Sequence, residues 1–181
     1  YIQRNGDQYE YLTDEEKDVE QEIKNTEVES SDVADELEKI VFDYVIKQRK
    51  IRYDAGSSQN QGQDYSYSRK LDDRLHGREY ELSINVISPF HEHTDNEQML
   101  RTASTYKADE LFVLMPSDER LVRDLLMFKR TEKYIKQNIS VTQQEAVKRI
   151  LNDKGFQNRE REARLRQQVQ TLIGKSKLLI G

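Results

Sequence analysis

Cysteine is absent from the 181 residues, which excludes a disulfide framework and any thiolate-bound metal and fits a reducing compartment. No apolar run approaches the length needed to span a bilayer, and no secretory signal opens the chain. The cytoplasm is the expected location, with no membrane partner. Apolar residues are scarce, at 35% of the chain against 35% charged, and mean hydropathy is −0.96. That is lean for a compact globule, yet short of a disordered composition. The expectation is an elongated arrangement of exposed helices, or a piece of a larger machine whose other parts cover its apolar faces.

The usual signatures of chemistry are missing or broken. No G-x-S-x-G occurs, and no serine–histidine pairing can be read from the sequence. Gly174-Lys175-Ser176 has the last three letters of a phosphate-binding loop, but the position needing the first glycine holds Val169. A helix end with lysines in its last turn accounts for these residues. His91, Glu92, His93 and Asp95 share one loop. His-x-His can ligate zinc, but a third rigid ligand is not in view and His76 falls in a different loop. Asp72-Asp73 with Glu79 and Glu81 looks like a magnesium cluster, but the lysine that a nuclease pattern requires is not there. No catalytic, metal or cofactor-binding residue is expected, and no cofactor.

Charge is what the chain has in quantity, and it is unevenly placed. Residues 1–48 carry a net charge of −10, residues 49–116 a net of −2 and residues 117–181 a net of +7. Such asymmetry suits an internal or intersubunit electrostatic contact, or a polyanion site at the basic end. Lys129, Arg130, Lys133 and Lys136, then Lys148, Arg149 and Lys154, then Arg159, Arg161, Arg164 and Arg166 supply phosphate-contacting groups, with the first four and the last four the candidate contacts to nucleic acid or a partner. The competing reading is a solvated helical stalk with i,i+4 pairs such as Glu160–Arg164 and Glu162–Arg166.

The expected elements make an α+β chain. Asn5-Gly6 suits the centre of a type I′ hairpin turn, flanked by Tyr- and Ile-rich strands. Thr13 and Glu16 form a capping box for a helix from Asp14 to Asn25. A second helix spans Val33 to Gln48. Strands are expected around Ile51–Asp54, Tyr65–Arg69, 80–87 and 110–116, with a Gly/Ser/Gln/Asn loop between the first two. Helices then run from Ser117 to Gln137 and onward from a second capping box, Thr142 with Glu145. Gly155 either ends that helix or lies inside a longer one. The sum is a central sheet of about four strands between helical ends.

"GDQYEYLTDEEKDVEQEI", "FDYVIKQRKIRYD", "SYSRKLDDRLHG", "LVRDLLMFKRTEKYIKQN" and "RILNDKGFQNREREARL" together resemble the BrxC/PglY family of large P-loop ATPases in bacteriophage exclusion (BREX) systems. Family proteins are several times longer and carry their ATP-binding loop N-terminal to this region. The resemblance therefore implies an excised middle region, without ATP chemistry on any residue here. It further implies that residues 1–25 are the remnant of a winged-helix wing and its exit helix, with Arg4 at the tip as a possible DNA contact. Residues 31–137 are expected to be an α+β platform and residues 141–181 a basic helical arm. The expected function is non-catalytic assembly and coupling in a phage-defence ATPase, through other subunits of the complex or self-association. The alternative is non-specific DNA binding by the basic helices.

Overall fold

A computed structural model describes residues 2–5 and 8–11 (backbone alone), 13–53, 56 and 62–179. The chain divides into two compact units, Tyr1–Glu36 with Arg123–Leu165, and Leu37–Val122 with Arg166–Gly181.

The first unit begins with β1 (Ile2–Asn5) and β2 (Gln8–Tyr11), antiparallel from Ile2↔Tyr11 to Asn5↔Gln8. Asn5 is thus a paired strand residue, not the centre of a turn as the Asn5-Gly6 reading had it, and Gly6 lies outside the described residues. Helix α1 (Asp14–Lys24) starts as expected because Thr13 Oγ1 accepts from the Glu16 backbone N–H at 3.3 Å. Asp14, Glu15 and Glu16 add negative charge in its first turn, where the helix dipole favours it. The first residues of α2 (Ser30–Lys39) follow. The unit also holds most of α4 (Glu119–Asn138), which Asp118 Oδ1 caps by accepting from Arg120 N and Leu121 N, and α5 (Glu145–Gly174) as far as Leu165. Thr142 stands two residues outside the α5 N-cap, so the second capping box is not the helix start. Gly155 lies inside α5.

A small core unites α1, α4 and α5. Val19 and Ile23 pack with Tyr134, Ile150 and Leu151, bordered by Met127, Ile135, Ile139 and Val147. Spacings of three and four residues put each set on one helix face. At the rim of this core the Tyr134 hydroxyl donates to the Glu22 carboxylate. Burial, then the hydrogen bond and charge of Glu22, push its pKa up to about 12. The stability this phenol contributes is complete below its ordinary value of 10.0 and is lost as pH rises through about 12. In an absorbance titration of the ten tyrosines, Tyr134→Phe should remove the most alkaline step. An unchanged titration would contradict the contact.

The second unit is built on a sheet of six strands, against the four expected. They are β3 (Lys50–Tyr53), β4 (Gln63–Leu71), β5 (Arg74–His76), β6 (Leu82–Ile87), β7 (Glu110–Leu114) and β8 (Lys177–Leu179). The order is β3-β4-β6-β7-β8. Strands β4, β6 and β7 are parallel, while β3, β5 and β8 run against their neighbours. Because Arg69–Leu71 pairs with both β5 and β6, β5 lies on the same side of β4 as β3. The loop Gly/Ser/Gln/Asn stretch between β3 and β4 falls largely outside the described residues.

Helix α3 (Glu97–Thr105), capped by Asn96 accepting from Met99 N, crosses from β6 to β7. It covers one sheet face, where Leu100 meets Ile87, Phe112, Leu114 and Leu179. Tyr67, Leu71 and Val86 are buried on the opposite side by strand alternation. The α2 helix continues as a π-helical turn, Ile40–Val45, with Ile46 N bonded to Val41 O. The wider turn lets three consecutive residues, Ile40, Val41 and Phe42, all be buried. Phe42 stacks on His76 with ring centroids 5.4 Å apart, and the Arg69 guanidinium lies 5.7 Å from its centroid. Gly77 holds φ +85°, and a Cβ there would sit 3.2 Å from Arg69 Nη2, so this bend requires glycine.

Candidate functional site

Ligands of sheets with parallel strands gather beyond the strands' carboxyl ends. In the second unit that end carries a tight turn, Asp72-Asp73, joining β4 to β5. Both residues have positive φ, +48° and +70°, as a type I′ turn demands. Asp-Asp is a poor pair for this geometry, and tertiary hydrogen bonds hold it.

Asp72 N donates to Val86 O at 2.8 Å. Its carboxylate accepts from Ser88 N at 2.7 Å and Ser88 Oγ at 2.5 Å. Asp73 N donates to Asn85 Oδ1 at 3.1 Å, and Asn85 Nδ2 donates to Asp73 Oδ1 at 2.8 Å. His91 Nε2 meets Asp73 Oδ2 at 2.8 Å. Asn85 and Ser88 are fully buried.

The tautomer of His91 follows from its second nitrogen. Nδ1 accepts the His93 backbone N–H at 3.0 Å, so Nδ1 carries no proton and Nε2–H donates to Asp73. Neither nitrogen retains a lone pair for a metal or for a substrate proton. His93 stands with its ring centroid 5.7 Å away, tilted. Among the described residues no group of three or more histidine or carboxylate side chains is placed to hold a metal ion. His76 lies on β5, its Nδ1 3.1 Å from Glu38 Oε2 and its Nε2 3.8 Å from Asp43 Oδ1. The geometry is that of a latch which fixes the β4–β5 turn to the end of β6.

Electrostatics separate the two acids. Burial pushes the Asp72 carboxyl above its ordinary value of 3.8, against the bonds from Ser88. Partial burial pushes Asp73 the same way, but the bonds from His91 and Asn85 and nearby positive charge together outweigh it, and its pKa falls below 3.8. Asp73 therefore contributes stability above its unfolded value that is lost as pH drops through its lower folded value. Asp72 has the opposite sign: its contribution is present at low pH and is lost as pH rises through its raised value. In acid unfolding followed by circular dichroism, Asp73→Asn should flatten the loss of stability below pH 3.8. Asp72→Asn should not. Identical profiles would contradict the assignment.

The basic candidates fall on α4 and α5, and they differ in availability. Lys129 is largely buried and pairs with Glu132 Oε1 at 2.7 Å. Desolvation would lower its pKa, but Glu132, Glu36 and Asp32 raise it. Arg130 is half-buried. Lys133 Nζ donates to Glu27 O at 2.6 Å. Lys136, Arg159 and Arg164 are exposed, and Arg159 lies 5.9 Å over the ring of exposed Phe156. Arg161 is half-buried and donates to Asn158 Oδ1 at 2.6 Å. Arg166, in the second unit, has its guanidinium 3.7 Å from the Tyr44 ring centroid, spent on stacking. The Arg4 side chain lies outside the described residues. Lys154, another of the basic candidates, is buried with Glu20 as its partner, on the inner face of α5 four residues after Ile150.

Among the described residues one further strand, β3, has no partner on its outer edge. β3 forms an end of the sheet order and all four of its residues are exposed. Ile51 is 44% and Tyr53 63% exposed, and Tyr65 beside them is 39% exposed. Among the described residues no helix is long and apolar enough to cross a membrane.

No solved structure matches the chain. The family model that does match spans residues 26–181 and is described as the fourth domain of the BREX ATP-binding protein BrxC, with a six-stranded β-sheet, the strand number seen here. The chain belongs to the BrxC family and carries the fourth domain of that BREX ATP-binding protein.

Proposed function

We propose that this domain is a non-catalytic assembly and coupling element of BrxC, docking another segment of BrxC along the open edge of β3. The observation that carries the reading is a contrast. Side chains able to do chemistry, Asp72, Asp73, Ser88 and His91, are committed to one another. Among the described residues nothing pairs with the outer edge of β3, and the apolar side chains of Ile51 and Tyr53 are exposed there. Exposed edges of this kind are templates for strand addition. A fourth domain has other domains in the same polypeptide, which gives them a high effective concentration at that edge.

Sedimentation of the chain with the remainder of BrxC tests the reading. A complex is expected with the native chain, and Ile51→Lys with Tyr53→Lys should abolish it without unfolding the domain, since both side chains are exposed. Failure of the native chain to associate would overturn it.

The exposed trio Lys136, Arg159 and Arg164, with Phe156 beside Arg159, favours a second reading, non-specific contact with duplex DNA. A gel-shift titration separates the two: DNA binding that weakens steeply with salt supports it, and absence of binding at low ionic strength removes it.

A further inference from the structure

Cations withdrawn from water need counter-charge, and half-buried Arg161 in the first unit has no ion-pair partner among the described residues. Three helices converge on a cavity of about 180 Å³. Glu20 and Lys24 reach it from α1, Thr131 from α4, and Lys154, Gln157 and Arg161 from α5. Residues 154, 157 and 161 recur at helical spacing, so one face of α5 forms the wall.

The charges do not cancel. Lys154 is 8% exposed and its ammonium pairs with Glu20. That pairing uses the one carboxylate lining the cavity. Arg161 is half-buried, and its hydrogen bond goes to the neutral Asn158 Oδ1 at 2.6 Å. Asn158 is itself buried and fixed, donating to Phe128 O at 3.1 Å. Among the described residues no carboxylate forms an ion pair with Arg161. Burial, and then the like charge of Arg164, hold its pKa below the usual guanidinium value, while Asp124 on α4 and Glu20 attract it at longer range. Lys24, in the last turn of α1, adds a third cation. A guanidinium with most of its N–H donors uncommitted, beside two ammonium groups in a small polar recess, has the chemistry of an oxyanion cradle. Gln157 supplies a neutral amide donor at the same wall.

From this we infer that the cavity between α1, α4 and α5 is a binding site for a phosphate-type oxyanion, held by Arg161, Lys154 and Lys24. The site is separate from the β3 edge and stands whether or not that edge docks a partner. Glu20 orients Lys154 and limits affinity, since it faces the anion with like charge. The phosphate is carried either by a small soluble molecule or by a nucleic-acid backbone; both present the same group to Arg161.

Thermal denaturation of the 181-residue chain with inorganic phosphate, and with pyrophosphate, decides the matter when chloride balances the ionic strength. A second arm uses a short DNA duplex in place of the free anions. Saturable stabilisation by phosphate or pyrophosphate assigns the site to a soluble oxyanion, and saturation by the duplex alone assigns it to a nucleic-acid backbone. In either case Arg161→Met should weaken binding by at least about tenfold, and Lys24→Gln, an exposed change that spares the core, should weaken it less. Glu20→Gln should strengthen it. No saturable effect in either arm, or binding unaltered by both Arg161→Met and Lys24→Gln, would overturn the assignment.

Discussion

Ile23→Ala should cost the fold about 2–5 kcal/mol, the range for truncating a well-packed aliphatic side chain. Ile23 is 3% exposed and Val19 4% exposed, and both are embedded among Tyr134, Ile150 and Leu151. The matched family segment starts at residue 26, two residues beyond the end of α1, yet α1 closes the core of the helical unit. Two polar ties from α1 add to the apolar ones: Glu20 with Lys154 and Glu22 with Tyr134. A chain shortened to residues 26–181 should therefore melt well below the full chain. It would leave Lys154 buried without Glu20, and an unpaired buried charge is among the costliest defects. Urea denaturation of Ile23→Ala and of the shortened chain checks this. A change below about 1 kcal/mol in both would mean that α1 is an appendage.

Asp72→Ala is the second large effect expected, at about 2–4 kcal/mol. Two terms combine. The Ser88 N–H and hydroxyl, both in a fully buried residue, lose their acceptor, and each unsatisfied buried group costs about 1–3 kcal/mol. Alanine also tolerates the φ of +48° less well than aspartate, whose short polar side chain suits the left-handed region. Asp72→Asn keeps that tolerance and one acceptor, so its cost should be less than half as large. Thermal melts of the two variants check the order. Equal losses would mean that the carboxylate is not what holds the turn.

These two sites show where sequence patterns inform and where they stop. Helix α1 is legible because its signals are local: Thr13 and Glu16 three residues apart, then Val19 and Ile23 on one face. Strand β7 is likewise legible from the "ELFVL" run. Strands β5 and β8 are three residues each and owe their existence to pairing with β4 and β7. Lys177–Leu179 reads as the tail of a basic helix until β7 is there to receive it. The π-helical turn at Ile40–Val45 has no distinct local signature, though its apolar residues fit the period of an ordinary helix.

The candidate site divides in the same way. Asp72, Asp73 and His91 stand out as chemistry-bearing residue types, and as a sequence they invite a metal or nuclease reading. Their roles depend on Asp73 meeting Asn85 twelve positions on and His91 eighteen positions on, which no periodicity records. The basic residues of α4 and α5 look equivalent in the sequence. Burial and partners separate exposed Arg164 from stacked Arg166 and from Arg161 in its recess.

Hydrogen exchange on the chain, alone and with the remainder of BrxC, tests adhesion against chemistry most directly. The account predicts that amides of Lys50–Tyr53 gain protection when the rest of BrxC is present, while those of residues 72–73 and 88–91 do not change. Protection that arises at the acidic turn and leaves β3 unaltered would contradict it.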